Sequence, residues 1–151
     1  MGWCFMDSPP VKEWIEKAEE DFRVALSLCR LRKNTPYNSV CFHAQQCLEK
    51  YLKAILEKQG VGIRKIHALP VLLDQCAKVH PMLTAMRPDM VRLSVYAVEF
   101  RYPGESATAA DTQEAIAIMK VSRVELRRLF GFEDRGTTAP PRRKPRKQKE
   151  S

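Results

Sequence analysis

The densest run of chemically capable side chains in this chain is CFHAQQCLEKYLK, residues 41–53, which carries Cys41, His43, Cys47, Lys50 and Lys53. Thiolates and imidazole are zinc ligands, but at about 100° per residue on a helix Cys41 points roughly 160° away from His43. The three do not converge on one tetrahedral ion, and no Cys-x-x-Cys pair occurs, so neither a metal nor a cofactor is expected. The chain also lacks a glycine-rich phosphate loop, a Gly-x-Ser-x-Gly elbow and a paired Cys/His signature. What remains is cation and imidazole chemistry at helix ends: His43, Lys50 and Lys53, then Arg64, Lys65 and His67, then Arg101 and Tyr102. Brought together by packing, Lys50, Lys53, His67, Arg101 and Tyr102 would form a cationic groove with an aromatic edge. Such a groove suits a phosphate-bearing ligand, a nucleotide or RNA. A competing reading pairs Lys50 and Lys53 with neighbouring acids, makes His67 a helix cap and bonds Arg101 to terminal carbonyls.

The element that must position these residues is PYNSVCFHAQQCLEKYLKAILEKQ, residues 36–59. Its apolar residues Tyr37, Val40, Ala44, Leu48, Tyr51, Leu52 and Ile55 fall at three-and-four spacing. Thr35 is placed to cap it, Pro36 to open it and Gly60 to end it. Ser39, His43, Gln46, Lys50 and Glu57 run along one flank; Phe42 projects nearly opposite the core. With Gln46 and Glu49, Phe42 marks a possible interface. Before it, Val11, Trp14, Ile15, Ala18, Phe22, Ala25, Leu26 and Cys29 form the stripe of a first helix ending near Arg32-Lys33. A connection so short makes the two helices antiparallel neighbours.

Beyond Gly60 a shorter third helix presents Leu69, Leu72, Leu73 and Cys76 on one face, and His80-Pro81 breaks it. Residues 81–88 are ambiguous, and a fourth helix over Pro88–Phe100 is expected to bury Val91, Val95 and Val98. After the Tyr102-Pro103-Gly104 turn, Thr108 and Asp111 resemble a capping box. It opens a final helix on Ala115, Ile118, Met119, Ser122, Leu126 and Leu129. The fold class is therefore all-α: an antiparallel up-and-down bundle of four long helices plus a shorter one. The expected domain limits are an N-terminal extension over 1–8, the bundle over 9–131 and a disordered basic tail over 132–151.

At 151 residues the chain suits one core. Its formal charge of +8 is not evenly spread. Residues 1–134 hold 19 basic against 17 acidic side chains, whereas 135–151 hold seven against one. The folded part is nearly neutral and the basicity sits in RRKPRK and its surroundings, which can attach to phosphate backbones nonspecifically. No apolar run approaches the roughly 20 residues that cross a bilayer, and MGWCFMDSPP lacks the pattern of a secretory signal. Five cysteines at irregular spacing read as reduced thiols, so no membrane partner and a cytoplasmic location are expected.

Three segments carry a resemblance. CFHAQQCLEKYLKAILEKQG, IHALPVLLDQC and YAVEFRYPGE, in that order, resemble the HEPN domain family over about residues 12–130. The most similar members are stand-alone prokaryotic ones found beside a minimal nucleotidyltransferase. The resemblance implies a helical bundle that forms a homodimer. It also implies a role in nucleotide or RNA biology, as one half of a toxin–antitoxin-like or defence pair with a nucleotidyltransferase partner. HEPN ribonucleases place an Arg five to seven positions before a His. Here those positions are Pro36–Asn38 before His43, Gly60–Gly62 before His67 and Leu73–Gln75 before His80, and none is Arg. The expectation is therefore a non-catalytic nucleotide-, RNA- or partner-binding module. The alternative is a metal-independent ribonuclease toxin with a non-standard site, with His43 or His67 as base and Arg101 on the phosphate.

Overall fold

The computed structural model describes residues 9–62, 65–98 and 103–132. Among the described residues the regular structure is five α-helices and one 3₁₀ segment: α1 Pro9–Cys29, α2 Tyr37–Lys58, α3 Leu69–Ala77, the 3₁₀ turn Pro81–Met86, α4 Arg87–Val98 and α5 Ala109–Arg128. The chain is all-α, as its periodicity predicts. Pairs far apart in sequence give the helix directions. Trp14 lies by Lys53 and Asp21 by His43, so α1 and α2 run antiparallel. Cys41 meets Thr112 and Lys58 reaches the Leu129 carbonyl, so α5 runs with α2. The basic tail and the N-terminal extension lie outside the described residues, except for Phe132.

α2 is the central rod. Thirteen of its residues are buried, including Val40, Ala44, Leu48, Tyr51, Leu52 and Ile55 from the expected stripe. Gly60, at φ 72°, ends it in a left-handed turn that only glycine adopts without strain. Gly60 N–H donates to the Glu57 carbonyl and Val61 N–H to that of Leu56, which satisfies carbonyls the helix end leaves open. The start differs from expectation. Pro36 occupies the cap position with no side-chain cap, and Thr35 Oγ1 donates to the Leu31 carbonyl instead. Tyr37 is 38% exposed rather than part of the stripe, and α1 stops at Cys29, short of Arg32-Lys33.

α4 is the main correction. Val91 and Val95 are exposed, while Met90, Leu93 and Tyr96 face the core. The helix is where periodicity places it but turned by one position. Both faces carry apolar residues, and the longer Met and Leu side chains fill the interior. Its predecessor, residues 81–86, forms a 3₁₀ segment that runs straight into α4. The capping box is present: Asp111 N–H donates to Thr108 Oγ1, and Thr108 N–H to the Asp111 carboxylate. Ahead of it, Asn38 Oδ1 accepts from Ala107 N–H at 2.7 Å, tying the approach to α5 to the start of α2. Cys41, Cys47 and Cys76 are buried free thiols and Cys29 is half-buried. Burial pushes the Cys41 thiol up to about 11 and that of Cys76 up to about 12, so both are protonated near neutrality.

Candidate functional site

The outer stripe of α2 forms the floor of a cleft of about 630 Å³, lined by Phe42, Gln46, Glu49, Lys50 and Lys53 together with Trp14 of α1, His67 and Ala68 ahead of α3, and Ser94 of α4. It therefore gathers three of the sequence-predicted binding residues, Lys50, Lys53 and His67, and all three interface candidates. Arg64, Arg101 and Tyr102 lie outside the described residues. Ser94 Oγ fixes one wall by accepting from Leu69 N–H at 3.2 Å, at the first residue of α3.

Two acids organise the lysines. Glu49, only 3% exposed, accepts from Lys53 Nζ at 2.8 Å and His67 Nδ1 at 2.9 Å on one oxygen. Its other oxygen accepts from Gln45 and Gln46 Nε2, each at 3.1 Å. Burial works against this carboxylate's charge, but the hydrogen bonds from Lys53, His67 and Gln45 outweigh it and hold the group below its ordinary range. Asp21, also buried, accepts from His43 Nδ1 at 2.8 Å and from Lys50 Nζ. Each imidazole presents Nδ1 to a carboxylate, which places a proton there and leaves Nε2 without a protein partner among the described residues. Lys53 also lies 5.4 Å from the Trp14 ring centroid, a cation–π contact.

The expected cationic groove is thus corrected in one respect: both lysines are paired, as the competing reading has it. The same reading fails for His67, whose side chain binds Glu49 and does not cap α3; the cap position is Ala68. Glu49, grouped by sequence with the outward residues, is a buried hub. Sequence reasoning missed Asp21, Trp14, Gln45 and Ser94 as parts of the site. A signal existed for Asp21, a charged residue inside the Ala18–Ala25 stripe of α1, and for Gln45, Glu49 and Lys53, which repeat every four residues on α2. Ser94 carried none. Among the described residues no group of three or more His, Cys, Asp or Glu could hold a metal ion. Cys41 bonds weakly to Thr112 Oγ1, away from His43.

A second acid cluster lies among α1, α2 and α5. Glu19 receives Arg123 through two nitrogens at 2.8 and 2.9 Å, Arg127 at 2.9 Å and the Tyr51 hydroxyl. Arg127 also donates to Tyr51 Oη at 3.1 Å. Burial opposes the charge of Glu19, but its hydrogen bonds and the two guanidinium charges keep the carboxyl below its ordinary range.

A family model, the HEPN domain, matches residues 11–128. The chain belongs to the HEPN domain family. The crystal structure of an archaeal HEPN homologue superposes with a TM-score of 0.62 at 24% identity, covering 80% of this chain and 97% of that one. At that identity the likeness speaks for the fold. A candidate toxin of Methanocaldococcus jannaschii is 41% identical over 54 residues, 36% of this HEPN chain. The match spans about a third of that relative, 34% of its length. Among the described residues of this HEPN domain no helix is long and apolar enough to cross a membrane.

Proposed function

We propose that this HEPN protein is a toxin-like module that binds a nucleotide or RNA in the α2 cleft and acts with a partner protein, without cleaving the ligand. The observation that carries this reading is the joint presence of Lys50, Lys53 and His67 with the Trp14 and Phe42 rings around one cleft of about 630 Å³. Aromatic rings stack bases whatever their sequence, and the hydrogen-bonding groups held around Glu49 complement the polar edge of a base. Similarity to a candidate toxin over a third of this chain supports the toxin-like role. A minimal nucleotidyltransferase is the proposed partner, a homodimer the proposed assembly and the cytoplasm the proposed location.

Trp14 lines the cleft and supplies the test. Nucleotides and short RNAs titrated into wild type quench its fluorescence, and Phe42→Ala weakens that binding at least fivefold. Flat titrations in both proteins would remove the ligand and leave partner binding alone.

A second reading is a metal-independent ribonuclease. It rests on the two imidazoles whose Nδ1 atoms are held by carboxylates, the arrangement that readies Nε2 for proton transfer. The absent Arg/His pair places it second. RNA incubated with the protein in EDTA stays intact on the first reading; cleavage lost in His67→Ala or His43→Ala supports the second.

A further inference from the structure

Which part of a nucleotide the cleft takes follows from the polar atoms already committed there. Both oxygens of Glu49 are filled, one by Lys53 and His67, the other by Gln45 and Gln46. Lys50 is committed to Asp21. Two ammonium groups therefore meet two buried carboxylates, and neither lysine is left as a surplus cation for a ligand. A phosphate entering the cleft would lose water and gain only shielded cations.

The two amides are oriented without ambiguity. Gln45 Nε2 stands between the Glu49 carboxylate and the His67 carbonyl, at 3.1 and 3.3 Å, both of which only accept. Gln46 Nε2 stands between Gln45 Oε1 at 2.8 Å and the same carboxylate at 3.1 Å. Flipping either amide would set oxygen against oxygen. Both hydrogens of the Gln46 amide are thus spent inward. Its carbonyl Oε1, which meets no donor among the described residues, remains a fixed acceptor. One helical turn earlier on the same face stands Phe42, 37% exposed, and Trp14 adds a second aromatic surface to the cleft.

We propose that the cleft is a nucleobase seat: an amino-bearing base lies against Phe42 and donates its exocyclic amine to Gln46 Oε1, while the phosphate stays in solvent. Gln46 is then the specificity-determining residue, and Glu49 acts through it by holding the amide in place. The inference rests on the nucleotide-binding reading above and narrows it to one portion of the ligand.

The test is a fluorescence titration of the full chain with adenosine, AMP and purine riboside, which is adenosine without its amine, at low and high salt. Adenosine and AMP bind within about threefold of each other at both salt levels. Purine riboside binds roughly fivefold more weakly, in keeping with the loss of one hydrogen bond. Gln46→Met brings adenosine down to the purine riboside level while leaving purine riboside binding itself unchanged, and Phe42→Leu weakens all three ligands together. AMP binding tenfold tighter than adenosine, with a gap that closes at high salt, overturns the base seat but leaves the nucleotide reading standing. So does equal binding of adenosine and purine riboside. Silence from all three ligands overturns the inference, and silence from short RNAs as well overturns the nucleotide reading itself.

Discussion

Glu19 and Glu49 are both buried or half-buried carboxylates on the two longest helices, both gather several donors, and they serve different ends. Glu19 is closed in by two arginines, one of them bidentate, and by the Tyr51 hydroxyl; Phe22 and Phe132 cover the guanidinium faces at 4.0 and 4.8 Å. Arg123 and Arg127 keep only 16% and 19% of their side-chain surface in solvent. Glu49 is equally saturated, but by a lysine, two amides and an imidazole that is 72% exposed. A guanidinium spreads several donors in one plane and is held by them all; an imidazole and an amide spend one side inward and keep another outward. The first cluster fastens α1 to α2 and α5. The second gives the cleft polar atoms of fixed direction.

The largest expected effect tests the fastening role. Glu19→Ala leaves two arginines and a phenol without their acceptor, and chemical denaturation should show a loss of about 3 kcal/mol or more. Glu49→Ala should cost less, about 2 kcal/mol, because it leaves one permanent cation, Lys53, without its acceptor instead of two, and the exposed His67 ring can rehydrate. Equal losses in the two variants would erase the distinction between the clusters. Both carboxyls are held below the ordinary value of 4.5, so their contribution is complete above that pH and is lost as pH falls below it. Stability measured by denaturation should therefore drop on acidification below about pH 4.5, and Glu19→Gln or Glu49→Gln should each flatten that drop. His67→Ala is the smallest change: less than about 1 kcal/mol in stability, since the ring is mostly in water. A larger loss would make His67 a structural residue.

Helix number, order and most core faces were legible because each depends on neighbours three or four positions apart. The capping box at Thr108 and Asp111 and the glycine end of α2 are of the same kind. Where two apolar faces compete, as on α4, local pattern gave the wrong one, because Val91 and Val95 alternate with Met90 and Leu93 and only the surrounding helices choose between them. For the site, sequence supplied Lys50, Lys53 and His67, with Phe42, Gln46 and Glu49 as interface candidates, but not Asp21, Trp14 or Ser94 from the neighbouring helices.

The residue pattern by itself determined that this chain is helical, where its helices break and that α2 carries both core and chemistry, since those are properties of one rod. Only the packed structure decided that Asp21 answers Lys50 from α1, that Glu49 is buried with Lys53, His67 and two glutamines around it, and that Gln46 is left with an outward carbonyl. Such pairings join residues up to 29 positions apart. Charge neutralisation across helices has no local periodicity, so it arises when the rods come into contact.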